Sequence, residues 1–347
     1  MFIIYYWSLN INLILSNRLL ILNIMKIKAA IHSSFPRIGE QPEEQKLRRA
    51  IASFEAGKIT KDELTAIENQ VVDETISIQV DTGLELVSDG LIRWYDLASH
   101  IAKNLKGFEI NGLLRFFDTN TYYRQPVVPG DISSGNGNLS KEIFYAANKA
   151  GKPVKGVLLG PLSLAAMSLN KSAMKLSEFS LRLGELLGQE AAMMTQNGAE
   201  YVQVEEPWLV RNPEHFDLFR ESFDRFSKAK GSAKIILSFY FGDIGKLYDK
   251  LGEIPAEMIG IDFTYSPGLL NRITSEGSTK PLALGILDGR NTKLESASQI
   301  ARSLEAPLKR INGECHLTTS CGLEYLPRYY AIHKLKLTAE VVKLLNG

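Results

Sequence analysis

The stretch AMKLSEFSLRLGELLGQEAAMMTQNG, residues 173–198, runs directly into AEYVQVEEP, residues 199–207. In the first segment, apolar residues recur at the three- and four-residue spacing of an amphipathic helix. The second segment is a short run rich in β-branched and aromatic residues that ends in two acids and a proline. A helix followed at once by such a strand is typical of a parallel sheet with crossover helices.

The same alternation continues outward in both directions, and the chain contains eight strand-like runs. They are KIKAAIHSS (26–34), LELVSDG (84–90), VKGVLLGP (154–161), AEYVQVEEP (199–207), KIILSFYFGD (234–243), EMIGIDFTYS (257–266), PLALGILDG (281–289) and CHLTTSCG (315–322). Eight parallel strands close a (β/α)8 barrel, so the predicted fold class is α/β with a TIM barrel. The alternative, an open doubly wound sheet, would favour a GxGxxG motif after the first strand, and none follows it.

Two stretches are longer than simple connections. Residues 40–82 predict a helical excursion after the first strand, and residues 91–152 predict a long insertion after the second. Because no composition break marks a linker, residues 25–347 are interpreted as a single barrel domain. Residues 1–24 are apolar but interrupted by Asn, Ser and Arg, and they lack the pattern of a signal peptide. We interpret them as a non-native leader or a mis-called start, with a membrane anchor or tail as the alternative.

Composition excludes several classes of protein. The formal net charge is +1 and no run of Lys or Arg exceeds two residues, which argues against a nucleic-acid surface. No clean apolar span of about 20 residues is present, which argues against a membrane protein. Two cysteines cannot build a disulfide framework, so the expected setting is the reducing cytoplasm. Small-molecule substrates are therefore the expected ligands.

Seven of the eight runs have polar residues at their carboxyl ends, and the third ends in Gly160-Pro161. The polar residues are Ser33, Ser34, Asp89, Glu205, Glu206, Ser238, Tyr240, Asp262, Asp288, Ser320 and Cys321. The carboxyl ends of barrel strands meet at one face, where barrel enzymes have their active sites. The pattern predicts a functional site at this face without naming its chemistry.

Five short motifs occur in the order seen in one enzyme family. They are FPRIG (35–39), FDTN (117–120), VQVEEP (202–207), LDGRN (287–291) and SCGLEYLP (320–327). With them, the chain from about residue 27 onward resembles the cobalamin-independent methionine synthases, which have two similar barrels. The C-terminal barrel of that family carries zinc and transfers a methyl group from a methylated folate to homocysteine, and the N-terminal barrel helps to hold the polyglutamate tail of the folate. FPRIG, FDTN and LDGRN resemble the N-terminal barrel, whereas GDIS (130–133) and SCGL resemble the catalytic one.

The resemblance implies a methyltransferase of methionine biosynthesis and a particular zinc site. The catalytic barrel of the family holds zinc with a His-x-Cys pair, a Glu and a final Cys, which match Ser238, Tyr240, Asp262 and Cys321 here. Ser and Tyr are poor zinc ligands. Asp262 and Cys321 therefore stand as an incomplete ligand set, and we expect less than one zinc per chain. A separate zinc-bearing barrel is the expected partner, and methyl-folate the expected methyl donor.

The resemblance also implies roles for acids and a hydroxyl at the barrel mouth. Glu205 and Glu206 match an Asp-Glu pair that contacts the substrate amino group or assists proton transfer, and burial beside a second carboxylate would raise one of the two pKa values, which suits an acid. Ser34 matches a position that contacts homocysteine, and Asp89 is a further candidate for substrate binding. The alternative for the two glutamates is a structural role with a basic partner inside the barrel.

Basic residues complete the candidate site. Arg290 replaces a mechanistic His of the catalytic barrel, and a guanidinium binds a carboxylate but does not shuttle protons near neutral pH. Its alternative is an ion pair with Asp288 or Asp262, and Asp288 is itself a candidate for substrate binding. Lys46 lies near the position of the family's folate-tail-binding residues, with a solvated helix face as its alternative.

Three functions remain open from the sequence. The first is a methionine-synthase component that binds the methyl donor or homocysteine and works with a zinc-bearing barrel. The second is a self-sufficient homocysteine methyltransferase that uses a methyl-corrinoid. The third is a non-catalytic binding barrel. We favour the first.

Overall fold

A computed structural model describes residues 27–347. Its ten strands, in chain order, are β1 (Ile27–Ala29), β2 (Glu109–Arg115), β3 (Tyr122–Val128), β4 (Val154–Leu159), β5 (Leu169–Asn170), β6 (Ala199–Glu205), β7 (Ile235–Phe239), β8 (Met258–Asp262), β9 (Leu282–Leu287) and β10 (Cys315–Thr319). The predicted leader over residues 1–24 lies outside the described residues. Within residues 27–347, no helix is long and apolar enough to cross a membrane.

Helices connect and surround these strands. In chain order they are α1 (Lys46–Glu55), α2 (Lys61–Asp81), α3 (Leu97–Asn104), α4 (Asn138–Ala150), α5 (Pro161–Met167), α6 (Leu176–Gln196), α7 (Phe216–Ala229), α8 (Tyr248–Leu251), α9 (Pro267–Glu276), α10 (Ala297–Leu308) and α11 (Arg328–Asn346). Short 3-10 turns occupy Pro42–Gln45, Leu209–Arg211, Pro213–His215 and Leu323–Tyr325.

Seven strands form one parallel sheet in the order β1-β10-β9-β8-β7-β6-β4. The second predicted run supplies the missing position between the two ends of this sheet. Leu86 bridges Ala30 beside β1, and Val87 bridges Val154 of β4, both in parallel. Backbone hydrogen bonds from Ile31 N to Leu86 O (3.2 Å) and from Lys155 N to Val87 O (2.8 Å) support the closure. The eight predicted runs therefore line up around a TIM barrel, although the second pairs through single bridges.

Alternate strand residues divide between two apolar clusters. The large cluster lies between the sheet and the helices. A small separate cluster has members on five strand positions and corresponds to the barrel interior: Ala30, Leu86, Ile236, Met258 and Ala283. Because strand side chains alternate between faces, residues two positions further along these strands also face inward, toward the carboxyl ends. These next interior residues include His32 and Ser238, so the interior changes from apolar to polar as it approaches the mouth.

The helices pack their apolar faces on the outside of the barrel. Helix α6 packs most extensively against α7, and close approach is possible because Gly184 and Gly188 face that helix. A Cβ on Gly184 would lie 2.2 Å from the Ser222 carbonyl oxygen. In the same helix, Glu190 is buried and neither carboxylate oxygen has a hydrogen-bond partner. Burial raises the pKa of Glu190 to about 7.

The excursion and the insertion have the predicted positions. Residues 40–82 contain a 3-10 turn followed by α1 and α2, which confirms the helical excursion. The insertion contains α3, α4 and an antiparallel hairpin of β2 and β3, whose strands the sequence did not predict. Its tip, residues 116–121, reaches the barrel mouth. Phe117 at this tip and Phe241 after β7 both have positive φ (53° and 66°), and their ring centroids lie 6.0 Å apart.

Candidate functional site

A cavity of about 210 Å³ opens between the carboxyl ends of the strands and the hairpin. Its lining comes from the ends of β1 and β6, the turn after β7, the insertion, and the 3-10 turn after β10. The lining residues are Ser33, Ser34, Phe35, Arg37, Leu91, Trp94, Tyr95, Asp96, Leu97, Phe116, Thr121, Tyr122, Tyr123, Glu205, Tyr240, Gly322, Glu324 and Tyr325. An apolar and aromatic wall with a few convergent polar groups is typical of a small-molecule site.

Glu205 is the acid at the floor of the cavity. It ends β6 with its side chain almost fully buried. One carboxylate oxygen accepts a hydrogen bond from the Tyr240 hydroxyl (2.6 Å), and the other accepts one from Gln203 Nε2 (2.8 Å). Burial raises the pKa of Glu205, while these hydrogen bonds act in the opposite direction. Tyr240, which the sequence marked as a substitute for a metal ligand, instead fixes this carboxylate.

Glu324 is a second acid at the same cavity. It lies in the turn Leu323–Tyr325, and its side chain is exposed toward the cavity opening. The surrounding protein raises its pKa, and Ser34 lies close enough to lower it. The Ser34 hydroxyl is buried and has no partner that meets hydrogen-bond geometry. A buried hydroxyl beside Glu324 that lacks a well-formed hydrogen bond can bond a polar ligand in the cavity.

Below the floor, the barrel interior holds a polar network. His32 contacts Ser238 Oγ through Nε2 (3.1 Å) and Ser33 Oγ through Nδ1 (3.0 Å), so both ring nitrogens have a polar partner. Burial and the nearby Lys155 lower its pKa well below the usual value. Lys155 Nζ, fully buried on β4, donates to Gln203 Oε1 (2.7 Å). Burial lowers the pKa of Lys155 to about 7.

Glu206 points away from the cavity and caps a helix. Its carboxylate accepts hydrogen bonds from Leu162 N (3.1 Å), Ser163 N (2.9 Å) and Ser163 Oγ (2.6 Å) at the start of α5. Burial raises its pKa to about 7. The two glutamates face opposite sides of the strand because adjacent strand residues alternate, and burial is the main cause of the raised pKa of each.

Asp89 lies beside the cavity but does not line it. Its side chain is buried, and one carboxylate oxygen accepts a hydrogen bond from Leu91 N (3.0 Å) while the other lies 3.9 Å from Arg93. Burial raises the pKa of Asp89 to about 6, with a further contribution from Glu142. These contacts place Asp89 where it supports the loop that carries Leu91, Trp94 and Tyr95 to the cavity wall.

Arg290 holds the hairpin tip on the barrel. Its guanidinium lies 3.4 Å from Asp118 and 4.8 Å from the Phe241 ring centroid, and it also bonds the Tyr265 hydroxyl. Arg211 contacts the same Asp118 oxygen at 3.0 Å. The alternative of an ion pair with Asp288 or Asp262 was therefore wrong, because Asp118 from the insertion occupies the guanidinium.

Asp288 and Lys46 lie away from the cavity lining. The Asp288 carboxylate accepts a hydrogen bond from the Arg290 backbone N–H (2.9 Å), which shapes the LDGRN turn. Lys46 on α1 pairs with Glu74, and neither residue is among the lining residues. The structure thus brings Glu205 and Ser34 together, and leaves Lys46, Asp288 and Glu206 outside the cavity.

Three of the four positions that match zinc ligands make hydrogen bonds to other groups among the described residues. Asp262 already accepts hydrogen bonds from Thr264 Oγ1 (2.5 Å) and three backbone N–H groups. Burial and the charge of Asp262 raise the pKa of Cys321 well above its usual value. Ser238 and Tyr240 are bonded to His32 and Glu205. Within residues 27–347, no group of three or more His, Cys, Asp or Glu is placed to hold a metal ion.

Several site residues were missed from the sequence. Glu324 and Tyr325 stand inside the SCGLEYLP motif, and Arg37 stands inside FPRIG, so the motifs contained them. Arg37 Nε donates to Ile92 O (2.7 Å), and its guanidinium lies 4.9 Å from the Tyr95 ring centroid. Asp118 stands inside FDTN, but its partners are far away in the sequence and no local pattern identifies them.

The fold and this cavity define a barrel with a small-molecule site at its mouth. The model of the family "Cobalamin-independent synthase, N-terminal domain" matches residues 100–311, more than half of the chain. The chain therefore belongs to that family. The match supports the N-terminal-barrel character of FDTN and LDGRN over the catalytic-barrel character of GDIS.

Curated relatives and solved structures agree with this family. A methionine synthase of Sulfolobus acidocaldarius is 25% identical over 86% of this chain and 88% of its own length. A methionine synthase of Saccharolobus solfataricus is 26% identical over 89% of this chain and 93% of its own length. A B12-independent methionine synthase of Shewanella sp. W3-18-1, solved with selenomethionine, superposes with a TM-score of 0.77 at 18% identity, covering 92% of this chain and 97% of that one. A methyltransferase from Methanosarcina mazei superposes with a TM-score of 0.60 at 12% sequence identity, covering 92% of this chain and 94% of that one.

Proposed function

We propose that this barrel binds homocysteine, or the methionine made from it, and takes part in methyl transfer in methionine biosynthesis. The observation that carries the proposal is the pair of cavity acids, Glu205 and Glu324, beside the unpartnered Ser34 hydroxyl in a member of the cobalamin-independent family. Its relatives carry the name methionine synthase, and the Shewanella protein was solved with selenomethionine. The cobalamin-independent family does not favour the corrinoid-dependent alternative.

The cavity supplies groups for each part of an amino acid. An ammonium group needs acids, which Glu205 and Glu324 provide. A carboxylate needs donors, and Arg37 is the one arginine among the described lining residues. Its Nε donates to the Ile92 carbonyl, which leaves the other guanidinium N–H groups for a ligand. The aromatic wall, including Trp94 and Phe116, suits a thioether or thiol side chain.

The thiol chemistry has to draw on a second barrel. Zinc, when bound, lowers the pKa of a thiol and keeps the sulfur nucleophilic. Asp262 is engaged by Thr264 and backbone N–H groups, and within residues 27–347 no group of three or more His, Cys, Asp or Glu is placed to hold zinc for that task. A separate zinc-bearing barrel would activate the homocysteine thiol and bind methyl-folate, while this chain supplies amino-acid binding.

Calorimetric titration with homocysteine and methionine tests the first half of the proposal. We expect the unmodified protein to bind, and Glu205→Gln to lose more than about tenfold in affinity, because the ammonium group of the amino acid loses its buried acidic partner. Lys46→Gln is a matched surface control that should leave the affinity unchanged. Absence of amino-acid binding by the unmodified protein would overturn the proposal.

A methyl-transfer assay tests the second half. Methionine formation from methyl-folate and homocysteine is measured with this protein alone, with a zinc-bearing catalytic barrel alone, and with both. We expect turnover to require the zinc-bearing barrel and to rise when this protein is added. Full turnover by this protein alone would show that the chain is self-sufficient, and no effect of adding it would favour a binding barrel without a role in catalysis.

A further inference from the structure

A line of buried polar side chains runs up the barrel interior to the cavity floor. Lys155 on β4 donates from Nζ to Gln203 Oε1 at 2.7 Å. Gln203 on β6 then donates from Nε2 to Glu205 at 2.8 Å. Lys155 and Gln203 are 1% and 2% exposed, so water does not compete for these hydrogen bonds. Neither residue lines the cavity, and the binding site described above does not include them.

The order of donors and acceptors along this line has one consistent direction. In its protonated form Lys155 has donors and no acceptor, and this form selects the carbonyl oxygen of the Gln203 amide. The amide nitrogen of Gln203 must then face Glu205, whose carboxylate only accepts. Tyr240 donates to the other carboxylate oxygen at 2.6 Å. The carboxylate is thereby held at both oxygens by donors whose own orientation is fixed.

We propose that Lys155 and Gln203 are positioning residues that hold the Glu205 carboxylate in the orientation that receives the ammonium group of an amino-acid substrate. The inference rests on the proposed function, because it assigns a task to Glu205 in that cavity. Lys155 acts through Gln203 and does not touch the substrate itself.

The alternative is that Lys155 and Gln203 only fill and stabilise the barrel. In that case, replacing either residue lowers stability, and its effect on ligand affinity does not depend on Glu205. If they position Glu205, their effect on affinity disappears once the carboxylate is removed. A double-mutant cycle therefore separates the two roles.

The experiment measures methionine and homocysteine affinity by calorimetry for Lys155→Met, Gln203→Leu, Glu205→Ala and the Lys155→Met/Glu205→Ala double variant. We expect about tenfold weaker binding in Lys155→Met and in Gln203→Leu, because each variant removes a buried hydrogen bond from the line that ends at Glu205. In the Glu205→Ala background, Lys155→Met should cause no further loss. Lys280→Met is the matched control, because Lys280 donates to Ala256 O (2.7 Å) and lies outside the cavity lining.

The outcomes distinguish this inference from the proposed function. If the unmodified protein binds neither amino acid, the proposed function is wrong and the positioning role fails with it. If the unmodified protein binds but Lys155→Met and Gln203→Leu bind equally well, only the positioning role is wrong. Additive losses in the double variant likewise contradict it. If Lys155→Met does not fold, Gln203→Leu decides the matter, because it removes the Gln203 amide that donates to Glu205.

Discussion

Replacing the two adjacent glutamates one at a time should separate stability from binding. Glu206 accepts three hydrogen bonds at the start of α5, two of them from the backbone N–H groups of Leu162 and Ser163. Glu206→Ala leaves those two donors buried, at about 1–3 kcal/mol each. Part of this cost is offset because the buried carboxyl no longer has to be desolvated. The expected loss is about 2–5 kcal/mol of unfolding free energy.

The companion change, Glu205→Ala, should have the opposite profile. Glu205 lines the cavity, so water can enter and bond the groups that it leaves, Tyr240 and Gln203. We expect a stability change within about 1 kcal/mol and a loss of amino-acid affinity greater than about tenfold.

Thermal unfolding and calorimetric titration of the same two preparations provide the test. In a chain of this size about 2 °C accompanies each kcal/mol, so Glu206→Ala should lower Tm by about 4–10 °C. It should bind the amino acid with nearly unchanged affinity below its lowered Tm. If Glu206→Ala kept its Tm while losing the ligand, Glu206 would be a binding residue and the helix-cap assignment would be refuted.

Three further outcomes follow from the buried and bridging groups. Burial raises the pKa of Glu190 to about 7, so the folded state resists ionisation of this carboxyl and loses stability as the pH rises from about 4.5 through 7. Glu190→Gln should therefore raise Tm at pH 8 and change it little at pH 5. Equal shifts of Tm at both pH values would contradict this. Asp118→Asn breaks the ion pairs that hold the hairpin tip, so limited trypsin digestion should cut the hairpin faster while Tm changes little. Elemental analysis should find less than one zinc per chain, and Ser238→His with Tyr240→Cys should raise that content; one tightly held zinc in the unmodified chain would overturn the metal assignment.

The barrel was predictable because its information is local. An apolar, β-branched run predicts each strand, and the polar residue at the end of the run indicates the carboxyl face of the barrel. The same period of two residues also decides which neighbour faces the cavity. Gln203 and Glu205 share one side of β6 and Glu206 faces the other, so the different roles of the two acids were available from strand parity.

The hairpin and its anchor were not predictable for the opposite reason. Strand β2, at the edge of the small sheet, is mostly exposed, so it lacks the apolar alternation that reveals a half-buried strand. Arg290 and Asp118 are 172 residues apart, and their pairing depends on where the insertion folds back. From the sequence, Asp288 and Asp262 at the strand ends were the acids considered as partners of Arg290. In the structure its acidic partner is Asp118 of the insertion.

The polar interior of the barrel explains why the four metal-like positions cannot be judged from their residue types alone. Asp262 looks like a ligand, but its oxygens are used by Thr264 and three backbone N–H groups. Tyr240 looks like a lost ligand, yet its hydroxyl fixes Glu205 at 2.6 Å. A buried polar group must find a partner, and when the metal ligands are replaced their neighbours acquire new ones. Tyr240, at one of the two positions that match the His-x-Cys pair, therefore helps to fix the Glu205 carboxylate, and Ser238 at the other position contacts His32, so restoring a metal would compete with these contacts.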